Sequence, residues 1–280
     1  MSDTPNPLPS FENPPVVEVV LGTQFDAIKG LKIPQIGLLW QEFRDRLPVT
    51  EEQPPLEPVI ERFGATRTPG PSVSFQLLDA PPIPRCWFKN EAGTELIQVQ
   101  SDRFIRNWRK VADDDAYPRY EPLRRTYAED FERFSEFVRR ENLGELVPNQ
   151  CEVTYVNHVL SGGEWRDHGE LEKVLSVLSW HYSDKFLGRP EEARATLKYI
   201  IHADAEEPIG RLHVAVEPVF RAKDDATMFR IVLTARAQPQ GKGIKGVLRC
   251  LDIGRDWVVR GFASITTEAM HREWRRNDGC

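Results

Sequence analysis

The sequence predicts an α+β fold in which the same order of elements occurs twice. Two observations predict it. Segments with alternating apolar and polar residues follow one another directly, without a helix between each pair, which is typical of an antiparallel sheet. The order of strand, helix, three or four antiparallel strands and long helix then occurs in both halves of the 280 residues, which indicates an internal duplication.

The first half, residues 16–147, follows an arm at 1–15 whose five prolines predict an extended or disordered segment. Alternation predicts a strand at 16–25, and apolar residues at spacings of three and four predict a helix at 33–48. A proline-rich connector is expected at 51–58. The other elements of this half are strands and one long amphipathic helix, predicted at 61–67, 72–79, 85–90, 95–100 and 117–142.

The second half, residues 148–280, repeats this order. Its strands are predicted at 151–160, 194–204, 211–220 and 228–238, and its helices at 170–180, 246–266 and 267–276. We expect the sheets of the two halves to join edge to edge, with the long helices on one face and the other face accessible. This arrangement is similar to the TATA-binding-protein-like and helix-grip groups of folds, and a shared fold does not imply a shared function.

Composition narrows the class of protein. The formal net charge is −6, and this acidic balance disfavours broad binding to nucleic acid or to anionic membrane. The sequence has no run of 18 apolar residues and no apolar leader after its first methionine, so we expect neither a spanning helix nor a signal peptide. The four cysteines are scattered, which predicts reduced thiols in a cytoplasmic protein.

The first candidate site follows the strand at 95–100. Gln98 and Gln100 are expected on the accessible sheet face. Arg103, Asn107, Trp108 and Arg109 come directly afterwards. Amide, guanidinium and indole groups together bind planar or anionic ligands through paired hydrogen bonds and stacking. Under the alternative interpretation the glutamines only solvate the outer face, and Trp108 anchors the end of the strand.

The second candidate group lies on the matching strand of the second half. Alternation places Tyr155 and Asn157 on one side of this strand and His158 on the other. If the two sheets are continuous, we expect Tyr155 and Asn157 to lie near Gln98 and Gln100. The alternative is a polar pair that is hydrogen-bonded within the core.

Familiar catalytic patterns are missing from the sequence. It contains no G-x-S-x-G turn, no Walker loop and no cysteine with a recognisable histidine partner. Its histidines do not supply a convincing set of metal ligands. We therefore assign no catalytic residue, no metal ligand and no cofactor.

Four stretches taken together resemble a prokaryotic family of unknown function that is distributed sporadically among bacteria and archaea. They are NPPVVEVVLGTQF, ELIQVQSDRFIRNWRK with YPRY soon after, TYVNHV, and WVVRGFASITTEAMHREW. The resemblance covers the chain from Pro14 to Trp274 and implies no activity or catalytic residue. A sporadic distribution is typical of genes that travel on mobile elements, including defence and toxin–antitoxin loci.

Three hypotheses follow. The favoured one is a non-enzymatic protein that recognises a protein partner, a second copy of the chain included, or a small ligand through the accessible sheet face, as an accessory or neutralising component of a defence or toxin–antitoxin locus. The first alternative is a small-molecule sensor or enzyme with a pocket between the halves, lined by Gln98, Gln100, Arg103, Tyr155 and Asn157. The second is a nucleic-acid-binding accessory factor that uses the basic residues of 103–110.

Overall fold

A computed structural model describes residues 7–64, 83–202 and 207–277. The strands of the first half are β1 (Ser10–Phe11), β2 (Val16–Phe25), β3 (Val49–Gln53), β4 (Arg85–Lys89), β5 (Glu95–Gln100) and β6 (Arg103–Arg109). Helix α1 (Ile33–Gln41) lies between β2 and β3, and the long helix α2 (Tyr120–Arg140) follows β6.

The second half begins with β7 (Pro148–Leu160). A short 3-10 turn (His168–Glu170) and helix α3 (Leu171–Val174) come next. Three strands and a long helix follow them, namely β8 (Ala195–His202), β9 (Pro208–Phe220), β10 (Thr227–Ala237) and α4 (Gly243–Ile265). The described chain ends with helix α5 (Glu268–Glu273) and strand β11 (Arg276–Asn277).

Nine strands form one antiparallel sheet in the order β3-β4-β5-β6-β2-β7-β10-β9-β8. The predicted α+β class and the antiparallel sheet are therefore confirmed. The halves meet where β2 pairs with β7, with Val19 opposite Tyr155 and Leu21 opposite Val153. The predicted arm carries β1, which pairs with β11 near the end of the described chain.

Both long helices pack on the same face of the sheet, which we call the front face; the opposite one is the back face. The buried side of α2 repeats at spacings of three and four, as predicted, and consists of Leu123, Tyr127, Phe131, Phe134 and Val138. On α4, Gly254 lets the helix approach β7, since a methyl group there would lie 2.9 Å from Cγ2 of Val153. The core between the helices and the front face is continuous across both halves.

Several predicted elements differ from the structure. The helix expected at 170–180 ends at Val174, because the next residue, Leu175, has extended backbone and forms a bridge with Thr266. Residues 61–64 are not a strand, while the strand expected at 72–79 lies outside the described residues. Strand β3 forms where a connector was expected, at an exposed and acidic edge of the sheet. None of the described helices is long and apolar enough to cross a membrane.

Candidate functional site

The predicted site residues lie on opposite faces of the sheet. Residues directly opposite each other in paired strands share a face. Gln98 is opposite Ile105, Ile105 is opposite Gly22, and Gly22 is opposite Glu152. The back face therefore holds Gln98 together with the strand positions of Glu152 and His158, whereas Tyr155 and Asn157 face the helices. The expected meeting of Tyr155 and Asn157 with the glutamines is wrong, because strand register and not alternation alone decides which residues share a face.

On the back face, Gln98 and Asn107 belong to a polar row across four strands. Gln98 Oε1 accepts hydrogen bonds from Arg85 Nη1 (2.7 Å) and Trp87 Nε1 (3.0 Å). Its Nε2 donates to Asn107 Oδ1 (2.7 Å), and Asn107 Nδ2 donates to Glu18 Oε1 (2.6 Å). Both amides are buried. Their hydrogen-bonding groups are thus used to link the strands, whereas the alternative interpretation expected the glutamines only to solvate the outer face.

Gln100 and Arg103 also bind within the chain. Gln100 exchanges two hydrogen bonds with the backbone of Leu56, and Arg103 Nη2 donates to the carbonyl of Glu57 (3.0 Å). Arg109 Nε donates to the carbonyl of Gly93 (3.0 Å), and its guanidinium lies over the ring of Trp87. These basic side chains are therefore cross-links on the back face.

Trp108 and His158 occupy different surroundings. Trp108 is buried on the front face with its ring 5.4 Å from that of Tyr117, so it anchors the end of β6 as the alternative interpretation described. His158 lies on the back face, opposite Arg230 in register. Burial and the charge of Arg230 lower the pKa of His158 below its usual 6.5, which favours the neutral imidazole at pH 7.

A cavity of about 760 Å³ opens on the front face where the two halves meet. The arm before β2, the start of α2, the middle of α4, strand β7 and the segment after α5 surround it. Two predicted residues, Tyr155 and Asn157, line its sheet side, and Phe11, Val258 and Phe262 line its apolar side. This volume lies in the range of about 300–1,000 Å³ that is usual for small-molecule sites.

Two tyrosine hydroxyls meet at the cavity wall. The hydroxyl oxygens of Tyr117 and Tyr155 lie 3.0 Å apart, and burial raises the pKa of both phenols above the usual 10. Only one hydrogen atom is needed for their mutual hydrogen bond, so the other hydroxyl hydrogen is left to donate to a bound acceptor. Because both pKa values are raised, the pair remains neutral and able to donate at pH 7.

Asn157 adds an acceptor. It is 2% exposed, and its Nδ2 donates to the carbonyl of Ile231 (3.1 Å), which fixes the orientation of the amide. None of the described residues donates a hydrogen bond to its Oδ1. The buried amide of Asn157 therefore offers an acceptor at the cavity wall beside the tyrosine pair.

Arginines give the cavity a positive rim. Four arginines and two glutamates are among its described lining residues, namely Arg119, Arg255, Arg275, Arg276, Glu12 and Glu121. Arg255 lies 4.9 Å from the centre of the Tyr120 ring and 3.4 Å from Glu121, while its buried Nε has no hydrogen-bond partner. An excess of cationic groups at the rim favours an anionic ligand.

Arg119 connects the arm to α2. Its φ of 68° lies in a region that residues other than glycine rarely adopt and that costs on the order of 1–3 kcal/mol. Its guanidinium donates to the carbonyls of Phe11 (2.9 Å) and Glu12 (3.3 Å). The strained backbone is thus found where the arm closes one side of the cavity.

Only weak sequence signals point to Tyr117, Arg119 and Arg255. The first two belong to the YPRY stretch and the third to α4, and no spacing rule connects them. The described residues contain no cluster of three or more side chains suited to a metal ion. Comparisons with protein-family models, with curated proteins and with solved structures gave no match. The resemblance seen in the sequence therefore stays a prediction.

Proposed function

We propose that the protein is a non-enzymatic binding protein whose front-face cavity holds a small organic anion with a planar apolar group. The observation that carries this proposal is the convergence of buried polar groups on one cavity of about 760 Å³. The tyrosine pair supplies a donor, Asn157 supplies an acceptor, and Arg255 supplies positive charge. This proposal develops the first alternative from the sequence, with Tyr155 and Asn157 kept and the back-face residues removed from the site.

The expected ligand follows from the lining. Phe11, Val258 and Phe262 suit a flat apolar group, and the arginine rim suits a carboxylate or phosphate. The raised phenol pKa values favour hydrogen bonding over proton transfer at neutral pH, because a neutral phenol is a weak base. We therefore prefer binding to catalysis.

Binding of a partner protein through the predicted polar residues of the sheet has weaker support than binding of a ligand in the cavity. Gln98 and Asn107, which were expected to contact a partner, are already hydrogen-bonded to each other and to neighbouring strands. A role in a defence or toxin–antitoxin locus stays a prediction, which the genes beside this one would test. We also propose that the two halves arose by duplication. The sheet order supports it, since β6-β5-β4 extend from β2 as β10-β9-β8 extend from β7.

Calorimetry and thermal unfolding with defined probes test the cavity. Adenosine monophosphate combines a planar base with an anionic phosphate. Adenosine carries only the planar base, and inorganic phosphate carries only the anion. We expect the monophosphate to bind and to raise the unfolding midpoint more than either control, since a ligand that binds only the native state stabilises it. When the free monophosphate concentration is 100 times its Kd, the expected gain in the free energy of unfolding is about 2.7 kcal/mol.

Variants locate the binding. Arg255→Met removes charge from the rim and Val259→Phe fills the cavity, so each is expected to weaken binding at least tenfold. Lys245→Met is the matched control, because it removes the same charge from an exposed position of α4 outside the cavity. Equal binding of the monophosphate, adenosine and phosphate, or full binding by the Val259→Phe protein, would show that the cavity is not the site.

A further inference from the structure

An extended segment crosses one end of the back face between β3 and the end of the first described range. We call residues 54–64 the crossing segment. It passes over β5, β6, β2, β7 and β9, as its contacts with side chains of these strands show. It therefore spans both halves of the sheet on the face opposite the cavity.

Three glutamines, one each on β5, β2 and β7, hold the backbone of this segment. Gln100 accepts from the Leu56 amide (2.8 Å) and donates to the Leu56 carbonyl (2.9 Å). Gln24 accepts from the Val59 amide (3.0 Å). Gln150 donates to the Val59 carbonyl (2.7 Å) and accepts from the Glu61 amide (3.2 Å). These side chains supply hydrogen-bond donors and acceptors to the backbone of the segment, as the backbone of a neighbouring strand would. We call the three of them the glutamine ladder.

One side chain of the crossing segment is recognised specifically. The carboxylate of Glu61 lies 2.6 Å from Arg211 Nη1 and 2.6 Å from His213 Nε2, and only 7% of its side chain is exposed. Arg211 also donates to the carbonyl of Arg62 (2.6 Å) and lies over the ring of Phe63. Within the crossing segment, the carboxylate of Glu61 is thus the charged group that Arg211 and His213 of the sheet bind.

The rest of the crossing segment contributes little apolar burial. Val59 is 38% exposed and Ile60 is 61% exposed, and both belong to the part that the ladder holds. Contacts to backbone amides and carbonyls do not depend on the side chains of the bound chain. The surface below therefore suits any extended chain that carries a carboxylate at the position of Glu61.

We propose that the glutamine ladder with Arg211 and His213 is a binding surface for an extended acidic peptide of a partner protein, and that residues 54–64 occupy it until the partner replaces them. This inference rests on the back face and is independent of the ligand proposed for the cavity. A tethered segment competes at an effective concentration in the millimolar range. The partner must therefore exceed the segment in affinity or abundance.

A peptide with the sequence of the crossing segment, residues 55–64, is the probe. It is labelled at its amino terminus and added to the full chain, and binding is followed by fluorescence anisotropy. We expect the Glu61→Gln protein, whose own segment is held less firmly, to bind the probe at least tenfold more tightly than the unchanged protein. The probe with the same Glu61→Gln change is expected to bind at least tenfold more weakly, and this comparison requires no further protein variant.

Changes to the ladder complete the test. Gln100→Leu with Gln150→Leu in the Glu61→Gln protein is expected to abolish probe binding, whereas Gln238→Leu, an exposed glutamine outside the ladder, is expected to leave it unchanged. Circular dichroism verifies that each variant is folded. The proposal is overturned if the probe fails to bind the Glu61→Gln protein at millimolar concentration, or if the altered probe binds equally well. Dimers of the unchanged protein held together by this segment would also overturn it, because the occupant would then be a second copy.

Discussion

The hydroxyl oxygen of Tyr117, in the loop before α2, lies 3.0 Å from that of Tyr155 on strand β7. This hydrogen bond joins the two halves of the chain at the wall of the front-face cavity. Tyr155 was a predicted site residue, and Tyr117 was not. One hydroxyl of this pair donates to the other, and the hydrogen of the second hydroxyl is left to donate to a bound ligand at the cavity wall.

Stability is expected to fall at alkaline pH because buried tyrosines stay neutral in the native state. Burial raises the pKa of Tyr127 and of Tyr155 well above the usual 10. In the unfolded chain these phenols ionise near pH 10. Their contribution to the free energy of unfolding is therefore complete below about pH 10 and is lost as the pH rises further. Urea titrations across this range measure the loss, and the Tyr155→Phe protein should lose less. Ionisation of every tyrosine near pH 10 in the folded protein would contradict this prediction.

The buried ion pair between α2 and the sheet should be needed for stability. Asp130 and Arg106 are each about 95% buried in their side chains and lie 2.7 Å apart, and burial raises the pKa of Asp130 despite Arg106 and Arg46. We expect Asp130→Ala to lower the free energy of unfolding by about 3 kcal/mol, since the buried guanidinium then keeps, among the described residues, the half-exposed Glu95 as its partner.

A double variant and a control make this ion-pair test specific. Arg106→Met combined with Asp130→Leu removes both charges, and we expect it to recover much of the loss. Glu129→Ala, at an exposed position of the same helix, should change stability little. A double variant that is less stable than Asp130→Ala would show that packing, and not the unpaired charge, explains the loss.

Gly254 is expected to set the distance between α4 and the sheet. A methyl group at this position would lie 2.9 Å from Val153 Cγ2 and 3.5 Å from Ala235 Cβ. Gly254→Ala should therefore cost about 1–3 kcal/mol of stability through overpacking. Gly37→Ala is the matched comparison, because in the described structure a methyl group on α1 meets no atom within 4 Å. It should add about 0.5–1 kcal/mol, so thermal unfolding should move in opposite directions for the two variants.

The attachment of the crossing segment should weaken at acid pH. Burial raises the pKa of Glu61, but hydrogen bonds from His213 and Arg211 outweigh it, and the pKa lies below the usual 4.5. A carboxyl group whose pKa is lower in the native state than in the unfolded state contributes stability at pH values above its unfolded pKa. This contribution is lost as the pH falls through its native pKa. The stability difference between the unchanged protein and Glu61→Gln should thus be constant from pH 7 to about 5 and shrink below about 4.5. A difference that grows on acidification would contradict the pairing.

Local patterns predicted those elements whose burial is decided within a few residues. The spacing of Leu123, Tyr127 and Phe131 predicted α2, and the alternation of Ile97 and Val99 predicted β5. Strand β3 was missed because its residues are exposed and acidic, so no apolar pattern shows its position at the sheet edge. The helix at 170–180 was overestimated because a contact with Thr266, far away in sequence, ends it.

By itself, the sequence determined the α+β class, the antiparallel sheet and the buried sides of the long helices, since periodicity is a local property. Only the tertiary structure decided that Gln98 and Tyr155 lie on opposite faces, because pairing between distant strands sets their register. It also decided that Gln150 holds Val59 and that Tyr117 meets Tyr155. Hydrogen bonds between residues so far apart in the chain leave no periodic signal in the sequence.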